Sequence, residues 1–364
     1  MGALGWRVGV ELELMAPPTR TRRDLAEALA GPGGRVERFF HPQSEPSLVE
    51  NMDVFDSLTL GFRALDREGR EVASCVDDLT LRDGLDRTRA PRDGWFRIVS
   101  DDRRLLHLIR RQARADGSLR DALAPTAALF GTDLEEVPGG MLKVVDEIGS
   151  PICIGAQLPG ERERPCEIVT PPIAPEADFG ATLERLLATA RRLGFSVPAE
   201  SATHLHLESA ALESAPVLAS LVELLATWGD ALKAAVRSNP RCVRLGPIPD
   251  ALLETVRTPG FRELDWPSAR ARLASLKLSK YVDWNMKNLA HPRADKPTFE
   301  VRVLPGTLRA EPVEQAARLF VAIAQRCVHG PPVEPADRAP LGGLLDQLEQ
   351  GGYLRDAGVW RARA

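Results

Sequence analysis

Glu11 and Glu13 stand two residues apart in "VGVELEL", with Val10, Leu12 and Leu14 between and beside them. The same spacing recurs with His204, His206 and Glu208 in "THLHLE", and with Glu300 and Arg302 in "FEVRV". Glu167 adds a further acid in "CEIVTPP". Residues two apart in a β-strand project to one face, so each segment offers polar groups to one side and Val or Leu to the other. Gathered on one sheet face, these groups would combine about four carboxylates, imidazoles and a guanidinium. Carboxylate-dominated sets with an occasional imidazole suit the hard cations Mg²⁺ and Mn²⁺. Acids gathered so closely are tolerable only where cations neutralise them. A neighbouring arginine would supply a clamp for phosphate. One reading is therefore a magnesium–nucleotide site on a sheet; the other is a solvated acidic face. The residues alone leave both open.

Other chemistries lack their residues. There is no GxxxxGK[ST] phosphate loop, no GxGxxG after a strand, no HExxH helix, no GxSxG elbow and no CxxC pair. A bound ATP would have to be held by metals and arginines. The five cysteines (Cys75, Cys153, Cys166, Cys242, Cys327) are scattered and odd in number, which argues against a disulfide framework or structural zinc and fits a reducing, cytoplasmic setting. A net charge of -4 offers no basic stripe for nucleic acid. The arginines of "RRLLHLIRRQARAD" (103–116) instead form the wet face of an amphipathic helix whose stripe is Leu105, Leu106, Leu108 and Ile109. No charged leader precedes an apolar segment, and no apolar run reaches the roughly 18 residues of a membrane span. With 44% hydrophobic and 27% charged residues, the composition is that of a soluble globular chain.

The elements that must position the polar residues follow from period and punctuation. "TRRDLAEALA" (21–30) predicts a helix stopped by "GPGG", and "GFRALDREGREVASCVDD" (61–78) two strands around "DREG". "DDLTLRDGLDRTRAPRDG" (77–94) reads as a surface loop, "GGMLKVVDEIGSPICIG" (139–155) as a strand pair, and "PCEIVTPPIAP" (165–175) as a strand ended by prolines. Helices are expected at 178–194, 216–237 and 311–330, and strands at 202–209 and 297–308. Strands scattered among helices without a βαβ rhythm predict an α+β fold with a largely antiparallel sheet. Residues 1–330 are expected to be one catalytic domain in which 35–140 select the substrate. Residues 331–364 are expected to be a linker and helical tail.

The order "GVELEL", "CEIVTPPI", "THLHLE", "YVDWN", "TFEVRVLPGTL" resembles the amidoligase family, the carboxylate–amine ligases related to glutamate–cysteine ligase and glutamine synthetase. That family runs G-x-E-x-E, E-[IL]-[VT]-[ST]-P-P, a Gly-His-x-His strand, an Asn-containing segment, then E-[FV]-R and G-T. Here Ala202-Thr203 replaces the glycine before the first histidine, and Lys280 stands where an arginine is common. The resemblance implies a curved, mainly antiparallel sheet with helices packed on one side, holding ATP and two or three Mg²⁺ or Mn²⁺ ions. By it Glu11, His204 and Glu300 would share one ion and Glu13 and Glu167 another, with Asp146 or Glu147 as a third acid. Arg302 would contact the transferred phosphate, with His206, Asn285 and Lys280 near nucleotide or substrate. It implies an ATP-dependent ligase that joins a carboxylate to an amine through an acyl phosphate, acting on small molecules or peptides. The rival readings are a phosphotransferase on the same fold, as in guanidino kinases, and a non-catalytic nucleotide- or peptide-binding module.

Overall fold

In the computed structural model of the protein, residues 6–46, 54–174, 178–242, 245–291 and 296–363 are described. The chain forms two compact units. The N-terminal unit is Glu13–Pro171 with Ala188–Pro198; the C-terminal unit is Met1–Leu12, Pro172–Leu187 and Ala199–Ala364. Strand β1 (Val8–Met15) begins in the second of these and ends in the first. Every residue of it is buried, so its acids do not face open solvent.

In the N-terminal unit, helix α1 (Arg22–Ala30) starts in a capping box. The Thr21 hydroxyl accepts from the Asp24 N–H, and Asp24 Oδ2 accepts from the Thr21 N–H at 2.7 Å. It stops at Gly31, whose φ of +69° suits glycine. The strands follow as β2 (Arg35–Pro46), β3 (Val54–Leu65), β4 (Glu71–Val76) and β5 (Phe96–Val99). Helices α2 (Arg103–Gln112) and α3 (Leu119–Leu129) precede β6 (Glu135–Val137), β7 (Met141–Val145), β8 (Pro151–Gln157) and β9 (Pro165–Val169). The strand order is β1-β9-β4-β3-β5-β8-β7-β6, with β2 laid on β3. β2 pairs β3 alone, which lets an edge strand carry Pro42.

Sequence periodicity locates the β3–β4 hairpin, α2, the β7–β8 pair and β9, but not β2, β5, β6 or α3. The polar stretch 77–94 departs from a plain surface loop. Asp77, Asp78, Leu79 and Leu81 are buried, because Arg162 donates to Asp77 Oδ1 at 2.8 Å and to the carbonyls of Asp78 and Leu81 at 3.0 and 2.7 Å. Nearby, fully buried Arg22 donates to the Leu60 carbonyl at 2.9 Å and stacks 4.6 Å from the Trp95 ring, with Asp77 at 3.9 Å. A cavity of about 470 Å³ in this unit is lined by Trp95, Phe96, Leu119, Met141, Leu142 and Gln157, among others.

Helix α4 (Phe179–Arg192) leads to the elements of the C-terminal unit. These are β10 (Ala202–Glu208), α5 (Ala215–Ala235), α6 (Asp250–Arg257), α7 (Trp266–Ala274) and β11 (Trp284–Asn285). After them come α8 (Lys287–Ala290), β12 (Thr298–Pro305), α9 (Ala310–His329), α10 (Leu341–Gln350) and α11 (Gly358–Arg361). The strand order here is β11-β12-β10-β1, with the β1–β10, β10–β12 and β11–β12 pairs antiparallel. Together these elements make an α+β fold built on antiparallel pairing.

Strand alternation sends Val8, Val10, Leu12, Leu205, Leu207, Val301 and Val303 into the core, where α9 packs on β10 and α5 on α9. Trp284 pins β11 to α9 through Phe320, their rings 5.6 Å apart. Helix α5 departs from the expectation that no segment could span a membrane. Its 21 residues have a mean hydropathy of 1.3 in the richest stretch, and that stretch is 72% buried within the protein. Two carboxylates, Glu223 and Asp230, interrupt its apolar length, and Glu223 is held by two hydrogen bonds from Arg257 of α6, each 2.8 Å.

Candidate metal centre

The C-terminal unit draws five of the expected residues together by register. Glu11 of β1 stands opposite His204 of β10, His206 opposite Glu300 of β12, and Asn285 of β11 opposite Glu300 from the other side. One irregularity shapes the site. Thr203 pairs with Leu304 but Leu205 with Val301, so Arg302 and Val303 together face the single residue His204. Such a bulge re-aims the side chains beside it. Arg302 lands on Glu300.

Glu11, His204, His206, Asn285, Glu300 and Arg302 are buried, and each oxygen of the two carboxylates has a partner. Arg302 Nη1 donates to Glu300 Oε1 at 2.5 Å and Asn285 Nδ2 to Glu300 Oε2 at 2.6 Å. Lys296 Nζ donates to Glu11 Oε1 at 2.6 Å, while Glu11 Oε2 faces His204 Nδ1 at 3.2 Å and His206 Nε2 at 3.1 Å. Burial alone would raise the carboxyl of Glu11. The attraction of His206 and Lys296, with hydrogen bonding from the His204 imidazole, outweighs it and holds the group well below the usual carboxylate range. Glu300 is depressed against the same burial penalty, chiefly by Arg302. Burial and then the charge of Arg302 push His204 down to about 4, against the pull of Glu11 and Glu300. His204 is therefore neutral at pH 7, the form a metal ligand requires.

His206 shows most directly what the site can hold. Its Nδ1 sits 3.1 Å from Thr298 Oγ1. Its buried Nε2 makes no hydrogen bond, yet lies 3.1 Å from Glu11 Oε2 and 3.8 Å from Glu300 Oε1. Proximity without N–H···O alignment is expected of donor atoms that aim at a common third point rather than at each other. Ligand atoms of Glu11, His206 and Glu300 all lie within 4.8 Å of one another. Around an octahedral ion with bonds of about 2.1 Å, neighbouring donors sit about 3.0 Å apart and opposite ones about 4.2 Å. Two carboxylates and an imidazole at this spacing fit Mg²⁺ or Mn²⁺. Thr298 supplies the outer hydrogen bond that such an imidazole usually has.

Glu13 and Glu167 belong to the N-terminal unit, on β1 and β9, with Glu167 opposite Val76 of β4. Asp146 caps the β7–β8 turn, accepting from the N–H groups of Ile148 and Ser150 at 3.0 and 2.8 Å, and Glu147 is exposed beside it. The turn geometry thus accounts for "VVDEIG" without a third metal acid. The Asn285 amide is engaged by Glu300 and by the Lys287 N–H, at 2.6 and 3.0 Å, so it fixes the carboxylate rather than projecting from it. Lys280 is half-buried with its ammonium 5.2 Å from the Tyr281 ring. Glu208 is exposed at the end of β10, and Arg302 donates to Glu300.

Three residues escaped the sequence reading. Lys296 lies outside any strand, two positions before β12. Thr298 opens β12 two residues before Glu300, and no motif marks it. Asp283 accepts from Lys233 Nζ at 2.8 Å and the Gly246 N–H at 3.1 Å, and its carbonyl accepts from the Arg302 N–H at 3.0 Å. It thereby ties β11 to the strand that carries Glu300. Only the alternation of Thr298 with Glu300 could have pointed to the site.

Residues 4–324 match a family model described as "Putative amidoligase enzyme". The match covers most of the chain, and the protein belongs to the amidoligase family. Among curated proteins none matches the chain.

Proposed function

We propose that the protein is an ATP- and Mg²⁺-dependent carboxylate–amine ligase of the glutamine synthetase and glutamate–cysteine ligase type of fold. The observation that carries this reading is the convergence of Glu11, His206 and Glu300, with Arg302 on the same carboxylate. When bound there, a divalent cation would supply positive charge that disperses the negative charge developing during phosphoryl transfer. Glu11, His206 and Glu300 would hold it, with neutral His204 supporting Glu11. We place a second ion with Glu13 and Glu167.

The residues account for the chemistry without a nucleophilic side chain. A substrate carboxylate oxygen attacks the γ-phosphorus of ATP and the bond to the ADP oxygen breaks, leaving an acyl phosphate. The amine then attacks the acyl carbon, phosphate departs, and the amine gives up a proton to solvent or phosphate. Arg302 is placed to donate to the transferring group, because a planar guanidinium spans two phosphate oxygens at once. Asn285 and Asp283 keep Glu300 from turning away. Substrate choice we assign to residues 35–140, whose unit holds the cavity beside Trp95 and Phe96.

A heavy-oxygen-labelled carboxylate gives the test, run against a panel of amino acids and peptides as acids and amines. Release of ADP should require both partners, and one labelled oxygen should appear in the inorganic phosphate. ADP formed while phosphate remains on an acceptor would make the protein a phosphotransferase. No acceptor-dependent release, with nucleotide still bound, would make it a binding module.

A further inference from the structure

Both carboxylates that would hold the metal are already paired with a side-chain cation. Lys296 donates to Glu11 Oε1 at 2.6 Å and Arg302 to Glu300 Oε1 at 2.5 Å. A divalent cation binding these carboxylates competes with both cations and is repelled by them. Its entry is favoured when one resident cation gives way or an anion accompanies the ion.

The two resident cations are not equally able to move. The Arg302 side chain is 6% exposed on a central strand, between β11 and β10, with its backbone N–H bonded to Asp283. The Lys296 side chain is 36% exposed, lies outside any strand, and ends in a compact ammonium on a flexible four-carbon stem. Leaving Glu11 returns that ammonium to water at little cost, whereas Arg302 would have to be extracted from the core.

Resting on the ligase reading, we propose that Lys296 is an exchangeable stand-in for the metal. It neutralises Glu11 in the metal-free protein, cedes Glu11 to the divalent cation, and then pairs with the anionic phosphates that arrive with that cation. The consequence is a coupling between ligands. Metal alone must displace Lys296 and is disfavoured, while metal accompanied by a polyphosphate satisfies both Glu11 and Lys296. By linkage the anion then strengthens metal binding, and the metal strengthens anion binding by the same factor.

Mn²⁺ titrations of the full chain, followed by calorimetry or electron paramagnetic resonance, test this in wild type, Lys296→Met and Lys296→Arg. Lys296→Met should bind Mn²⁺ alone roughly five-fold or more tightly, since an ion pair of this exposure is worth up to about one factor of ten in binding. Its metal-free melting temperature should fall, and at saturating Mn²⁺ it should bind a non-hydrolysable ATP analogue more weakly than wild type. Lys296→Arg keeps the competing charge and should bind Mn²⁺ no more tightly than wild type. Unchanged or weaker Mn²⁺ binding by Lys296→Met overturns the exchange while leaving the metal centre standing. Absence of Mn²⁺ binding in all three proteins overturns the metal centre itself, and the exchange with it.

Discussion

Glu300→Gln keeps the shape of the side chain and removes one charge from a network of four. Glutamine offers one acceptor oxygen where Glu300 offers two, so either Arg302 or Asn285 then meets an amide NH₂, donor against donor. Both Glu300 contacts are short, 2.5 and 2.6 Å, and the Arg302 and Glu300 side chains are each 6% exposed. Removing one member of so buried a pair costs about 3 kcal/mol or more, because the other charge stays behind without its counter-ion. For a unit of this size that corresponds to roughly 6–12 °C in Tm. Urea unfolding of the metal-free protein measures it, and the midpoint should fall with the slope unchanged. A double-mutant cycle with Arg302→Met should return a coupling of about 2 kcal/mol or more. Metal-free Glu300→Gln as stable as wild type, or more so, would refute the reasoning. The acids would then be repelling one another and Arg302 would contribute nothing to their balance.

Three further outcomes follow from the same contacts. Arg302→Lys, which replaces a planar fork by a point charge, should slow ADP release by about a hundredfold or more while nucleotide still binds; unchanged turnover counts against the ligase mechanism. His204 has a folded pKa of about 4 against 6.5 for the free side chain, so the unfolded chain binds the extra proton first. Its contribution, about 3 kcal/mol, is present in full above pH 6.5 and is lost as the pH falls toward 4. Urea midpoints of the metal-free protein at pH 7 and pH 5 should show the loss, and His204→Gln should reduce it. Arg22→Met strands buried Asp77 with Arg162 and leaves the Leu60 carbonyl without its donor, which should destabilise the N-terminal unit by about 3–5 kcal/mol. Limited proteolysis within that unit reads this out, and a protease-resistant variant would speak against it.

Legibility in the sequence tracked locality. Period-two alternation alone placed Glu11, His204, His206, Glu300 and Arg302 on strands, since a strand's faces are set by neighbours in the chain. The family pattern named the same residues, and the family itself is shown by the match over residues 4–324. The partners that lie far apart in sequence were not legible. Lys296 meets Glu11 across 285 positions, and Asp283 meets Lys233 across 50. The bulge that sets Arg302 and Val303 against His204 depends on how two strands register, which neither strand encodes alone. In the N-terminal unit, β2 hid behind Pro42 and α3 behind Pro125, residues that ordinarily break the elements they occupy here.

Helix α5 carries a consequence for the life of the chain before it folds. By length and mean hydropathy alone the helix is long and apolar enough to cross a membrane. On a ribosome, before α9 has packed against it, the nascent segment presents that stretch openly. Glu223 lies near the middle of the helix, where a carboxylate at the bilayer centre costs roughly 2.5–3.5 kcal/mol on the insertion scale. The same side chain that Arg257 holds in the finished protein thus works earlier as a label against misdelivery. Glu223→Leu would lift that penalty, and a fraction of newly made chains should then pellet with membranes instead of reaching the folded state.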